Sequence, residues 1–523
     1  MSGESVKEDN SNMNNRTYTP RGVRFAAVAA VALSLVLTSC SPPADSGAGG
    51  GDSLTVGMVG STGDTKDPYQ FQGSTSSSAL FRQMFDGLAQ RASDGSVQLA
   101  LAESIEPNET NDVWTITLRK GIKLHSGEPF IAEDVAESLR WMIDPENAFT
   151  YATQLDWLTS PEQIEVVDDH TVKLNLAEPF GLVREMLAME RINMRSVRNG
   201  ATEAEPEGTG PFVLDSFTPG QEAKLTRFDD YWGEKPNIEH LTIAYFTEQN
   251  AVTNAIRGGQ IDVAQGIPFP EMPALEADPN LELLVSDTAA YPIIAMNAAN
   301  APFDDTKVRQ ALRMSVDRER IVSNAFGGYA SVANDFIGKN TSCAPPSVPQ
   351  RTQDIEGAKK LIAEAGAEGA SVELVTDGAF PGMMEMAQLI ADDAAKAGLN
   401  ISVRKLDVAT FLDRWLEWPF FISFTSSPYE TTAKAHFLPG GSENGTAFDD
   451  AEYTALAEQL YQTTDADAQC KLIEQMQTIE YERGGYLIPV YGQQITVHRS
   501  NVKGLEPDLY GRSAYVVTGV TVE

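Results

Sequence analysis

Apolar and polar positions alternate along this chain with two periods, and they sort most of it into short strands and amphipathic helices. Residues 54–59, 113–120 (VWTITLRK), 171–176 (TVKLNL) and 241–246 alternate at period two and read as strands. Residues 76–90 carry helical spacing, with Leu80, Met84 and Leu88 on one face. Residues 132–143 read as a helix with Glu133 and Asp134 in its first turn, where the helix dipole favours negative charge. A short helix over 250–257 stops at Gly258-Gly259. The second half is richer in helices. One long amphipathic helix is predicted over 305–326, ended by Gly327-Gly328, and another over 355–365, ended by Gly366. Strand 372–375, helix 383–397 and strand 401–406 make a βαβ unit, which normally forms a right-handed parallel crossover. Helices over 450–462 and 466–483, a strand-like 486–490 and a loop-rich tail complete the pattern. The fold class is α/β with no internal repeat, and the βαβ lobe, entered near Ile293 and left near Pro489, implies two chain crossings between lobes. Clefts between domains are where ligand pockets tend to form.

The N-terminal region breaks both periods. Residues 25–37 (FAAVAAVALSLVL) are apolar almost throughout and follow Arg21 and Arg24. A basic flank, a short apolar run and small residues before a cleavage point make a secretory signal peptide over 1–39. The run is too short to span a bilayer, which needs about 20 apolar residues. Leu37-Thr38-Ser39-Cys40 resembles the bacterial lipobox, in which the cysteine thiol is acylated and Cys40 becomes the new N-terminus. The bland alternative is an ordinary signal peptide with an incidental cysteine. Residues 40–53 (CSPPADSGAGGGDS) have too little apolar matter to fold and read as a flexible tether. Translation starts at Met1 or at Met13, the latter giving the shorter basic flank. The expected location is the outer face of the cell membrane, held by lipid.

Composition narrows the function. Hydrophobic residues make up 42% of the 523-residue chain and charged ones 22%, ample for two or three packed domains. The net charge of −35, spread without an acidic block, argues against nucleic acid or anionic lipid headgroups as partners. Beyond Cys40 only Cys343 and Cys470 remain. Outside the cell they either form one disulfide or stay free, and sequence cannot bring their Cα atoms together.

Five segments then occur in a telling order. Residues 113–142 read VWTITLRKGIKLHSGEPFIAEDVAESLRWM. Gly208-Thr209-Gly210-Pro211-Phe212, Tyr231-Trp232-Gly233-Glu234-Lys235-Pro236 and Gly259-Gln260-Ile261-Asp262-Val263 follow. Residues 297–317, with Pro302-Phe303, Val308-Arg309-Gln310-Ala311 and Asp317, complete the set. Together they resemble the solute-binding proteins, family 5, of ABC importers, the peptide- and nickel-binding group. The resemblance runs from about residue 54 to 500. It implies a two-lobe periplasmic-binding-protein-like fold (type II, cluster C) with an extra subdomain in lobe one. Lobe one would comprise residues 54–292, with the subdomain at about 75–193, and the return 491–523. Lobe two would comprise 293–490. It further implies a monomer that closes on a small-molecule ligand and delivers it to permease subunits served by a separate ATPase, with no cofactor. Each motif also has a structural reading. Gly121, Gly127, Gly208 and Gly210 serve turns or close backbone approach. Asp134 is helix-terminal charge, Tyr231 and Trp232 pack beside a turn rather than forming a ligand platform, and Arg309 forms an internal ion pair.

Candidate ligand contacts follow from the same resemblance. They are Gly73, Ser74 and Thr75 after the first strand, Tyr151, the strand end Phe424, Thr425, Ser426, Ser427 and Tyr429, and Tyr491 and Gln493 on the return. Core packing competes for Tyr151 and Tyr491, and a plain turn before Pro428 competes for Thr425, Ser426 and Ser427. One departure matters. Peptide-binding members place an aspartate four residues before that proline to pair with the ligand's ammonium, and this chain has Phe424 there, with no carboxylate between Trp418 and Pro428. A buried ammonium facing no anion costs several kcal/mol. The ligand is therefore expected to be a modified or blocked peptide, a sugar, a metal chelate or another polar organic molecule. None of the five histidines pair at i,i+4, and His436 reads as solvent-exposed, with contact to a metal chelate as the alternative. No GxSxG elbow, Walker A loop or CxxC occurs, which disfavours an exported hydrolase. A lipoprotein sensor or chaperone sharing the fold stays open, since fold does not fix function.

Overall fold

Two β-sheets organise the chain in the computed structural model, which describes residues 51–523 apart from 71–74, 150, 203, 340 and 379–380. The larger has the strand order Leu281–Asp287, Val490–Arg499, Val263–Gln265, Ser53–Val59, His240–Phe246, Glu222–Arg227, Phe212–Thr218, with Ala330–Val332 added against Val490–Arg499. Ser53–Val59 runs parallel to both its neighbours, and the remaining pairs are antiparallel. The smaller sheet has the order Asn400–Lys405, Ser371–Thr376, Phe420–Thr425, Tyr291–Met296, Tyr486–Leu487. Its first two strands are parallel and joined through the helix Met383–Ala397, the crossover that the sequence pattern predicts. A third, four-stranded antiparallel sheet (Ala102–Pro107, Val113–Leu118, Thr171–Asn175, Ile164–Asp168) packs against the helix Ala132–Ile143. In that sheet Trp114, Ile116 and Leu118 are buried on one face, as period-two alternation requires. On the helix Val135, Leu139 and Met142 are buried at helical spacing.

Three elements depart from the sequence reading. The helix expected over 76–90 ends at Met84, because Asp86-Gly87 turns the chain into the hairpin Ala89–Arg91 and Val97–Leu99. The helix expected over 305–326 is two, Thr306–Ser315 and Arg318–Ala325. Asp317 breaks it, since its carboxylate accepts from the Arg320 amide and starts a new N-terminus. The strand expected over 486–490 is split between sheets, and the supposedly loop-rich tail opens with the ten-residue strand Val490–Arg499.

That split is held by one side chain. Asp335 is 1% exposed and sits at φ 62°, a left-handed conformation that aspartate tolerates better than most residues. Its carboxylate accepts from the Ile488 amide at 3.0 Å and lies 2.7 Å from Arg318 and 2.8 Å from Arg351. Arg309, expected in an ion pair, instead donates to the carbonyls of Phe303, Arg483 and Gly484. Arg313 donates to Tyr481, Gly484 and Tyr486 carbonyls. Cys343 and Cys470 are joined by a disulfide, with 5.2 Å between Cα atoms, which ties residue 343 to the helix Ala466–Arg483.

Gly208 and Gly210 let the segment before Phe212 lie against the end of the helix Thr75–Met84. A Cβ on Gly208 would fall 1.8 Å from the Met84 carbonyl oxygen, and one on Gly210 2.5 Å from that of Gln83. Gly208→Ala is expected to lower the unfolding free energy by about 1–3 kcal/mol through forced backbone displacement. Urea denaturation measures this, and an unchanged midpoint would contradict the close approach.

Candidate ligand-binding site

A cavity of about 1060 Å³ opens between the two large sheets, of a size that suits a small organic ligand. One wall comes from the larger sheet and its neighbours: Arg82 on the helix Thr75–Met84, Gln265 and Gln494 on strands, and Tyr510 to Thr518 of the tail. The facing wall is the end of the strand Phe420–Thr425 with Ser426 to Pro428, then His436 and Glu443. Tyr151, Glu190 and Arg191 close a third side.

Of the residues expected from sequence, Thr75, Tyr151, Phe424, Thr425, Ser426, Ser427 and Gln493 line this cavity. Gly73 and Ser74 lie outside the described residues, as does Cys40. Phe424 stays 55% exposed at the wall, where an apolar ring this open is notable. Two expected contacts are not brought there. Tyr429 is fully buried, and its hydroxyl donates to Glu480 at 2.7 Å, alongside Tyr453 at 3.0 Å and the Ile337 amide at 2.8 Å. Tyr491 is buried edge-on against Tyr291, with ring centroids 4.9 Å apart, and donates to the Phe336 carbonyl. Both belong to one buried core cluster: Tyr429 opens the helix Tyr429–Phe437, and Tyr491 packs on Tyr291. His436 is also corrected: it is 3% exposed, its Nε2 lies 2.9 Å from Glu443 and its Nδ1 3.1 Å from the Tyr486 hydroxyl. Burial is the strongest single influence and works to raise the Glu443 pKa, but the bond from His436 and the charges of His436 and Arg191 together hold the carboxyl below its usual range.

Tyr231 and Trp232 do more than pack beside a turn. Both face the cavity, and both donate to Asp86, Trp232 at 2.8 Å and Tyr231 at 3.3 Å, while Thr209 adds a third bond at 2.9 Å. Burial pushes the Asp86 carboxyl up to about 6 despite these donors. Charged contacts also tie residues 91 and 156 to the helix Tyr429–Phe437. Arg91 lies 3.5 Å from Glu430, and Asp156 pairs with Lys434. Phe180 stacks on Tyr461. Sequence reasoning missed Arg82, Asp86, Glu190, Arg191 and Arg512, since isolated charges in a chain with many carry no periodic signal. Among the described residues, no group of three or more His, Cys, Asp or Glu is placed to hold a metal, and no helix is long and apolar enough to cross a membrane.

Comparison with known proteins agrees with this geometry. The model of the bacterial extracellular solute-binding proteins, family 5 Middle, matches residues 96–444. The glutathione-binding protein GsiB of Salmonella choleraesuis is 29% identical over 361 residues, which is 67% of this chain and 69% of that protein. The ABC transporter substrate-binding protein CtaP of Listeria monocytogenes superposes with a TM-score of 0.80 at 20% identity, covering 90% of this chain and 99% of that one. DppA of Helicobacter pylori, in complex with the peptide STSA, gives 0.74 at 20% identity, covering 90% and 98%. These structures share the two-lobe binding-protein fold.

Glu480 yields a test of the buried cluster that removes Tyr429 from the cavity. Burial lifts its pKa from 4.5 to about 7. Between those values the unfolded chain gives up the proton while the folded chain keeps it. This contribution to stability is therefore full below about 4.5 and is lost as pH rises to about 7. Glu480→Gln is expected to flatten the fall in unfolding free energy across that window, measured by urea denaturation at stepped pH. Parallel profiles for the two proteins would place the carboxyl in a less buried setting.

Proposed function

The chain belongs to the bacterial extracellular solute-binding proteins, family 5, and from that premise we propose that it is the ligand-capturing lipoprotein of an ABC importer. It closes two lobes on a small polar solute outside the cytoplasm and hands it, chemically unchanged, to a permease driven by a separate ATPase. Cys40 carries the lipid, and residues 40–53 are the tether. Lobe one is residues 54–292 with 491–523, its subdomain at about 75–193, and lobe two is 293–490. The single observation that carries this reading is the large cavity whose walls come from both sheets. A ligand that touches both walls shifts the lobes toward closure by its differential affinity for the closed form.

The cavity supports a charged or strongly polar ligand of peptide-like size. Four arginines, Arg82, Arg91, Arg191 and Arg512, line it together with Asp86, Glu190, Glu234 and Glu443. That GsiB binds glutathione and DppA holds a peptide fits such a ligand. Phe424 replaces the anion expected on the central strand, so an ammonium on the ligand finds no carboxylate there. The protein acts as a binder and not as an enzyme.

Native mass spectrometry of protein from its own host is expected to find one ligand per chain, released with its mass unaltered after long incubation. Re-adding that ligand at a hundred times its Kd should stabilise the fold by about 2.7 kcal/mol. Turnover of the released molecule, or a cavity that never retains one, would overturn the proposal.

A further inference from the structure

Two opposite charges that line the cavity have no partner among the described residues. Arg82 faces the cavity from the last turn of its helix, and among the described residues no hydrogen bond or ion pair engages its guanidinium. Its neighbour Arg512 is, by contrast, engaged by protein acceptors: Nε donates to Asp508 at 2.9 Å, and Nη2 donates to Asp508 at 2.7 Å and to the Arg91 carbonyl at 3.0 Å. Glu190 lines the same cavity with one carboxylate oxygen buried and no donor to it. Its charge acts on both Arg82 and Arg512, yet it forms an ion pair with neither.

The other carboxylates here are spoken for or peripheral. Asp86 takes three donors, Glu443 takes His436, and Glu234 is exposed at the rim. Beside the arginines lie two further acceptors without donors. Gln265 spends its amide nitrogen on the Gly511 carbonyl at 3.1 Å, which leaves its oxygen unpaired. The Gln494 side-chain oxygen also lacks a donor and lies against Gly511, so close that a Cβ there would meet it at 2.1 Å.

A ligand with a single charge would satisfy one of Arg82 and Glu190 and leave the other uncompensated in a partly desolvated wall. A ligand that brings both charges satisfies both. Both line this cavity, Glu190 acts on Arg82 itself and both act on Tyr515, so a ligand that meets both brings its two charges near one another. An ammonium offers three N–H donors, matching an excess of acceptors, and a carboxylate matches the fork of a guanidinium. On the reading that this cavity is the ligand site, we propose that Arg82 and Glu190 form a zwitterion subsite for an α-amino-acid head. The carboxylate of that head lies on Arg82, and its ammonium lies on Glu190 with Gln265 and Gln494 accepting the remaining protons. Such a head carries both charges on one carbon. It is present in γ-linked glutamyl peptides and absent from ordinary α-linked peptides, whose ammonium and carboxylate stand at opposite ends. The ionic recognition missing from the strand that carries Phe424 is thereby supplied from the opposite wall.

Calorimetric titration with γ-L-glutamylglycine and its α-linked isomer tests this. The unsubstituted protein should bind the γ isomer at least about tenfold more tightly. Glu190→Gln and Arg82→Gln should each weaken the γ isomer by about tenfold or more, and Glu190→Asp should lose less than Glu190→Gln. Equal affinity for the isomers, γ binding unaffected by either substitution, or no binding of either isomer would each overturn the subsite. The isomer comparison stands even where a substituted protein misfolds. Failure here leaves the binder reading to be judged separately, by the ligand recovered from the host.

Discussion

The buried carboxylate of Asp335 fixes the place where the chain leaves one sheet for the other, and the shape of the cavity depends on that place. Tyr486–Leu487 is the edge of the smaller sheet, and Val490–Arg499 begins within the larger one. Only Ile488 and Pro489 separate them, and the Ile488 amide is held by Asp335 while the Pro489 carbonyl accepts from Ala333. Arg318 and Arg351 neutralise the carboxylate from the other side. A buried charge with its partners in place is tolerable, and one that has lost a partner is severely destabilising. The crossing therefore has little freedom to slip. A slip of one residue would invert every side chain of Val490–Arg499 and turn Gln493 and Gln494 out of their places at the cavity.

The arginines of the helix Thr306–Ser315 serve the same junction. Arg309 and Arg313 converge on the carbonyls around Gly484 and Tyr486 and so anchor the segment that feeds the crossing. The first of them lies in a motif that identified the fold from sequence. It marks scaffold and not ligand chemistry. The turn built on Gly208 and Gly210 has the same standing. It brings Thr209 to Asp86, and Asp86 gathers Tyr231 and Trp232 from another of the motifs. Two ordered motifs thus meet at one carboxylate on the cavity wall.

What was legible in the sequence was local and periodic. Ala132–Ile143, Met383–Ala397 and Ala466–Arg483 match their predicted bounds, because helical spacing and end signals are written within each segment. Tyr291–Met296 was harder to see, since burial of all six residues erases alternation. The tail strand Val490–Arg499 carries Gln493 and Gln494 side by side on opposite faces, then Thr496 and His498 at buried positions, so its pattern reads as loop. Within the site, the strand end from Phe424 to Ser427 was legible through its place in the family pattern. Tyr429 and Tyr491 were misassigned for a shared reason. An aromatic near a cleft and an aromatic in the core look alike in one dimension, and only the hydroxyl partners, Glu480 and the Phe336 carbonyl, tell them apart. The charged wall was illegible because its members come from residues 82, 190 and 512, which nothing in a single sequence connects.

The charge budget of the whole chain makes that wall selective. With a net charge of −35, the protein's long-range field repels anions, so a carboxylate-bearing ligand is favoured only where cations are concentrated locally. Four arginines on one cavity provide such a place, and the low dielectric of a closing cleft strengthens their effect. If ionic recognition resides on the wall of the larger sheet, the facing wall is left with Phe424, Thr425 and Ser426, which offer apolar surface and hydroxyls but no charge. Binding then divides into two stages with different physics. On the proposed function, the open form would capture the ligand by charge on one side of the cavity. Closure, on the proposed function, would be favoured by burial of the exposed Phe424 ring. On that reading, the ligand's contact with Phe424 sets how far it tips the balance between open and closed forms. An aspartate in place of Phe424 would merge the two stages, because one lobe could then not hold the ligand's ammonium without the other.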